Sequence, residues 1–159
     1  MALAAKQIIV QDMLAGSQGE CYVDIEGNRY HFASIINLQF NFEKTKVKKR
    51  VLGRTGAVNK STGWEGAAEG TIYYNTSVLR MLMYRYKETG EDIYFTTTVS
   101  NEDTTSRRGR QTFIAKDCNT DGGILAMLDV DAEVLEEDIS MTFDDFEYPE
   151  QFDISDNVI

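Results

Sequence analysis

The residues able to do acid–base, nucleophilic or metal chemistry are few, and their spacing does not suit it. Histidine occurs once, at His31, inside an alternating stretch. A Ser–His–Asp relay or an HExxH helix needs partners at set positions around that imidazole, and the sequence does not supply them. His31 reads as a structural or edge residue. Acids cluster at Asp129, Asp131, Glu133, Glu136, Glu137 and Asp138. They could in principle provide an acid and a base, but like charges alternating along one strand read as a solvated face. The stretch DCNTDG at 117–122 has the first half of a calcium loop, with oxygens at positions 1, 3 and 5 and glycine at 6. The bidentate acid belongs at position 12, where Leu128 stands, so turn chemistry explains the same letters. Lys60-Ser61 resembles the end of a phosphate loop, but Asn59 and Arg54 occupy the two glycine positions such a loop requires. Cys21 and Cys118 are too few and too scattered for a disulfide framework or a zinc site and read as reduced, partly buried thiols. The expectation is a protein that is not an enzyme and takes no cofactor or metal.

Charge is more informative than chemistry. The 159 residues carry a formal net charge of −10, which argues against a free-standing nucleic-acid binder and against adhesion to anionic membranes. The average hides an asymmetry. Lys44, Lys46, Lys48, Lys49, Arg50, Arg54 and Lys60 fall in one stretch without an acid, whereas residues 129–156 hold twelve acids and no base. A subunit with one basic block and one acidic block can pair with its own copies head to tail. The first ten residues contain one lysine and no long apolar run, so they read as neither a signal peptide nor a membrane span. Synthesis and folding in the cytoplasm are expected.

The elements that must carry these charges are mostly strands. Residues 1–159 read as a single domain with flexible ends, residues 1–18 forming an N-terminal arm punctuated by Gly16, Ser17 and Gly19. Strands at 21–25 and 30–35 flank a tight turn at Glu26-Gly27-Asn28. Ile36, Leu38, Phe40 and Phe42 then alternate with Asn37, Gln39, Asn41 and Glu43, giving one buried and one wet face. The same alternation continues with lysines on the formerly apolar side, and residues 44–66 read as a long, glycine-bearing, mobile basic loop. Residues 70–74, 93–99 and 111–117 read as strands, and 101–110 as a charged loop. Helical spacing of Val78, Leu79, Leu82 and Tyr86, with capping residues before and Gly90 after, predicts one helix near 77–88. Two final strands are well patterned. In one, Ile124, Ala126, Leu128, Val130, Ala132 and Val134 oppose Asp129, Asp131 and Glu133. In the other, Ile139, Met141 and Phe143 oppose Ser140, Thr142 and Asp144. The expected fold is mostly β, an antiparallel β-sandwich or barrel with one flanking α-helix.

The run LDVDAEVLEED at 128–138, followed by MTFDDFEYPE at 141–150, resembles the tail tube proteins of PBSX-like contractile phages and related bacteriocin particles. GAAEGT at 66–71, the Ser77 helix start, Tyr94-Phe95 and SRRG at 106–109 follow in the family's order, so the resemblance covers most of the chain from about residue 19. It implies a tail-tube-like β-sandwich subunit that forms hexameric rings. The rings stack into a conduit inside a sheath, with baseplate and terminator proteins as further partners. DNA would be only a passing cargo, no membrane would be involved, and the family transfers no catalytic residue or cofactor. Assembly would take place in a bacterial host cytoplasm, and the product would be a virion or phage-tail-like particle. Two alternatives stay open: a type VI secretion-like tube protein, and a small β-sandwich binding module using Trp64.

Within the tube reading, Lys44, Lys46, Lys48, Lys49, Arg50, Arg54 and Lys60 are expected on a ring-stacking loop. Asn37, Gln39, Asn41 and Glu43 are expected to line the lumen, since amides and one acid give weak contacts to a passing polyanion. Asp129, Asp131 and Glu133 are expected to face a neighbour's basic loop.

Overall fold

A computed structural model describes residues 10–153. Its strands are β1 (Gly19–Ile25), β2 (Asn28–His31), β3 (Ile35–Lys49), β4 (Val58–Tyr73), β5 (Phe95–Glu102), β6 (Arg110–Gly122), β7 (Glu136–Phe143) and β8 (Asp145–Glu150). The α-helix, α1, spans Val78–Thr89. The mostly antiparallel β architecture with one helix is the expected one. The chain expected to be one domain groups into two compact units. One comprises residues up to Ala33, Phe95–Lys116 and residues from Phe146; the other comprises Ser34–Tyr94 and Asp117–Asp145.

In the first unit, β1 lies between β2 and β5, and β6 pairs with both β5 and β8. Glu26 and Gly27 turn β1 into β2 with φ of 50° and 82°, the left-handed pair that suits a two-residue hairpin. Cys21, Val23 and Ile25 alternate into the core with Phe95 and Thr97, while Tyr22 stays outside and stacks on His31 at 4.9 Å. His31 is thus an edge-strand residue with an aromatic partner. Residues 10–18, expected to be a flexible arm, are docked within this unit. Asp12 is buried and accepts from Arg107 Nε at 2.5 Å and Nη2 at 3.1 Å, with Arg108 Nε at 3.2 Å. Asp103 accepts the Ala15 N–H at 2.9 Å. Residues 1–9 lie outside the described part.

In the second unit the order is β6–β7–β4–β3. Ala68 and Ile72 of β4, Ile139, Met141 and Phe143 of β7, and Leu79 and Leu82 of α1 form its core with Cys118. The alternation read for 139–144 is realised, with Glu137 added to the buried side. Glu137 is not a free carboxylate: Arg80 donates to it at 2.6 Å, and also to the carbonyls of Ile124 at 3.2 Å and of Thr76. The Gly90 N–H donates to Tyr86 O, and Gly90 takes φ of 74°, ending the helix as expected. Tyr86, read on the helix's apolar stripe, is exposed.

Four expectations are corrected. Residues 44–66 are not a loop: 44–49 belong to β3 and 58–66 to β4, so only 50–57 connect them. The glycines and lysines that suggested a loop cost a two-stranded ladder little, because its bonds are between backbones and every side chain can stay wet. Conversely, 124–134 is not a strand, although Leu128–Val134 alternates strictly between apolar and acidic residues. Leu128 and Val130 are 100% and 98% exposed, and β7 begins only at Glu136. Residues 117–122 form neither a calcium loop nor a turn; they are the end of β6, where Asn119 and Thr120 pair with Thr142 and Met141 of β7. Finally, Ile36 and Phe42 are exposed where a buried face was expected. Ile36 falls in a register irregularity, and Phe42 lies opposite Gly66, where β4 leaves its pairing with β7.

Candidate assembly surfaces

Three surfaces of the second unit gather the residues singled out from sequence. The first is the outer part of the β3–β4 hairpin. β4 pairs with β7 only from Gly66 to Tyr73, so residues 43–49 and 58–65 pair only with each other among the described residues. Eight or so residues of ladder extend it roughly 25 Å beyond that sheet. All seven cations expected on a stacking loop lie in this region and are exposed, Lys44, Lys46, Lys48 and Lys49 on β3, Lys60 on β4, Arg50 and Arg54 on the connection. Among the described residues none of the seven forms an ion pair. An aromatic cluster marks the base of the ribbon. Trp64 stacks on Phe42 at 5.0 Å, and both Trp64 and Phe40 approach Phe143, at 6.3 and 5.7 Å. Gly66 is required there, since a Cβ would run into the Phe143 ring.

The second surface is the wet face of the same sheet. Asn37, Gln39, Asn41 and Glu43 are all exposed. Register places them beside Thr71, Glu69, Ala67 and Glu65 of β4, and the next row on β7 is Asp138, Ser140 and Thr142. Gln39 donates to Asn41 at 2.8 Å and Thr71 to Asp138 at 3.0 Å. The face carries Glu43, Glu65, Glu69 and Asp138 and no cation. The β4 and β7 members were missed from sequence, although β4 carries the signal: Glu65, Ala67, Glu69 and Thr71 alternate with the buried Gly66, Ala68, Gly70 and Ile72.

The third surface is the segment joining β6 to β7. Asp129, Asp131 and Glu133 are exposed on it, but not on a strand; the Asp131 N–H bonds instead to Asp129 Oδ1 at 3.0 Å. Its ends are tied down, Ile124 O to Arg80 and Leu135 O to the Tyr74 N–H at 3.0 Å. Asp129 is not brought near Lys44–Lys49 within one subunit, because the tie at Tyr74 lies at the opposite end of β4 from the hairpin tip.

In the first unit, the SRRG stretch holds Asp12 and Asp153. Arg107 and Arg108 hold Asp12, and Arg108 O accepts the Asp153 N–H at 2.7 Å. The Thr105 hydroxyl, then the N–H groups of Ala15 and Thr105, hold the Asp103 carboxyl below its usual range. No group of His, Cys, Asp or Glu side chains that could hold a metal occurs among the described residues.

Comparison with known proteins places the chain in a family. A family model described as "Phage tail tube protein" matches residues 6–150. Two proteins of Bacillus subtilis (strain 168), the "Phage-like element PBSX protein XkdM" and the "Uncharacterized protein YqbM", are each 36% identical over 141 residues, covering 89% of this chain and 93% of the relative. The fold is similar to a chain in the sheath/tube terminator of the extracellular contractile injection system PVC, with TM-score 0.66, 7% identity, and 89% and 100% of the two chains covered. It is also similar to the SPP1 tail tube, with TM-score 0.61, 10% identity, and coverage of 89% and 81%. At those identities the structures speak for the fold, while the family match and the two relatives speak for descent. The chain belongs to the phage tail tube protein family, and it is a structural subunit of a tail tube.

Proposed function

We propose that the subunit assembles with its own copies into hexameric rings that stack into a hollow tube, with the β3–β4 hairpin of one ring engaging the next and the wet face of β3, β4 and β7 lining the bore. The observation that carries this reading is the hairpin itself, a ladder running past its own sheet with seven exposed cations that have no ion-pair partner among the described residues. Exposed strand edges invite pairing, and pairing around a closed ring removes them. A heterologous contact between rings propagates as a filament. Amides and carboxylates without a cation suit a wall that lets a polyanion such as DNA slide. A sheath around the tube, with baseplate and terminator proteins at its ends, completes the machine, and assembly takes place in a bacterial host cytoplasm. A structural role of this kind requires no catalytic residue or cofactor.

The test is electron microscopy with sedimentation of the pure protein at rising concentration, without nucleotide or metal. Rings or tubes are expected; a strictly monomeric species at every salt concentration would overturn the reading. Replacing Asn37→Lys, Gln39→Lys and Asn41→Lys together should leave assembly intact and make tubes retain DNA.

A further inference from the structure

Residues 125–134 combine features that do not belong together in a finished fold. Leu128, Val130 and Val134 are exposed and alternate with the exposed Asp129, Asp131 and Glu133. That is the pattern of a strand with one apolar and one acidic face. Among the described residues, however, no ladder pairs with 125–134: the chain turns at Val130 and Asp131, where the Asp131 N–H bonds to Asp129 Oδ1, and the segment's ends meet Arg80 and Tyr74. A strand pattern without a ladder is missing a partner edge.

The same unit offers an unpaired edge of matching chemistry. β3 ends the strand order, so one of its edges is open among the described residues. Lys44, Lys46 and Lys48 follow each other at two-residue spacing, with Thr45 and the partly exposed Val47 on the other side. Asp129, Asp131 and Glu133 have the same spacing, so pairing the two segments sets three acids opposite three lysines, with Val130 and its neighbours beside Thr45 and Val47. The two cannot meet within one subunit. Ile35 of β3 pairs with Ile72 at the end of β4 near the Tyr74 tie, and Lys46 lies eleven residues further along, roughly 36 Å away. A ten-residue segment fixed at both ends reaches about 17 Å at its midpoint. The partner is therefore a second copy, approached head to tail.

We propose that residues 125–134 become a β-strand on assembly, adding to the open edge of the outer β3 arm of a neighbouring subunit. The inference rests on the stacked-tube reading and specifies what the basic hairpin engages. It also assigns the free subunit a built-in assembly strand that stays unpaired until a neighbour's edge arrives, which limits pairing to the correct end of another subunit.

Hydrogen exchange on the full chain, free and as tubes, tests it. Amides of 125–134 other than Asp131, whose N–H already bonds to Asp129 Oδ1, should exchange freely in the subunit and slow by about tenfold or more in the tube. Val130→Pro removes a ladder donor at an exposed position; it should leave the subunit's Tm unchanged and abolish tubes. Asp129→Lys with Asp131→Lys, or Lys44→Glu with Lys46→Glu, should each block stacking, and all four changes in one chain should restore it. Should the wild type form no rings or tubes, the tube reading falls and this inference with it. If tubes form while 125–134 exchanges as in the free subunit, or if Val130→Pro tubes are normal, only the added strand is overturned. Protection that appears only when sheath protein is added would also overturn it, since the occupant would then not be a second copy.

Discussion

The outer hairpin and the β6–β7 connection are two stretches of similar length with no core of their own. The hairpin arms, residues 44–49 and 58–65, are rich in lysine and threonine, yet they form a ladder with a single register shift at Thr45/Lys46. The connection, residues 124–134, alternates between apolar and acidic residues from Leu128 to Val134, yet it forms no strand. Side-chain alternation specifies which face would be buried; whether a strand forms depends on an edge to pair with. Each hairpin arm grows from a ladder already anchored where β4 meets β7. The connection is tied at each end to a side chain or a single backbone group, with no edge alongside it.

The strongest way to break the comparison is to remove the hairpin arms. Replacing residues 44–64 by a two-residue Asn-Gly turn keeps Glu43 opposite Glu65 and should leave a folded subunit whose Tm falls by no more than about 4 °C, since the half-exposed Trp64 is the one residue lost that packs on Phe143. Tubes should be absent by microscopy. Tubes of normal length would make the arms ordinary solvated surface.

Next in size is Arg80→Ala, which acts on the connection's tether. The Glu137 carboxylate is almost fully buried and Arg80 is its ion-pair partner. Removing the guanidinium leaves an unpaired charge against the core and frees Ile124 O, so urea denaturation should show a loss of about 3 kcal/mol. Changing the pair together, Arg80→Met with Glu137→Leu, should recover most of it.

A third segment shows another way to hold chain that has no sheet of its own. Residues 13–18 are pinned in part through Asp103, whose carboxyl is held below its usual range by the Thr105 hydroxyl and the Ala15 and Thr105 N–H groups. A depressed folded-state pKa contributes stability above the unfolded value of 3.8 and loses it as pH falls through the folded one. Exchange of the Ala15 amide should therefore remain protected down to about pH 4 and accelerate below it, relative to its intrinsic rate. In Asp103→Asn that acid-dependent step should disappear.

The alternation that marks β7 and the first half of β3, and the apolar spacing with the Gly90 stop that marks α1, are local signals and were legible, although Ser77 makes no side-chain capping bond and the alternation at 128–134 gave no strand. The Glu26-Gly27 turn was legible for the same reason. The ladder at 58–65 was not, because its existence depends on residues 44–49 across the hairpin and not on its own composition. Charge groups the seven basic residues, which do share the hairpin, and alternation groups Asn37, Gln39, Asn41 and Glu43, which do share one sheet face. The setting of the basic residues was misread, since a basic loop and a basic ribbon share one composition. Glu65, Glu69 and Asp138 joined Asn37 and Gln39 only through register across three strands, which no single window of sequence contains.

The smallest expected effect tests the contrast most directly. Leu128→Ser with Val130→Ser changes two residues that are 100% and 98% exposed, so the free subunit should lose no more than about 0.5 kcal/mol. Ile139→Ser with Met141→Ser makes a similar change a few residues later, in a run with the same period-two pattern. There the side chains are 7% and 5% exposed, and β7 is paired to β4 on one side and β6 on the other. Placing hydroxyls in that core and removing its methylenes should cost about 4 kcal/mol or more. Chemical denaturation of the two double variants would thus separate two stretches whose letters look alike. A large loss from the first pair would mean that 124–134 is packed in the free subunit and is not waiting for a neighbour. A negligible loss, together with failure of that variant to form tubes, would place the value of Leu128 and Val130 wholly in the assembled state.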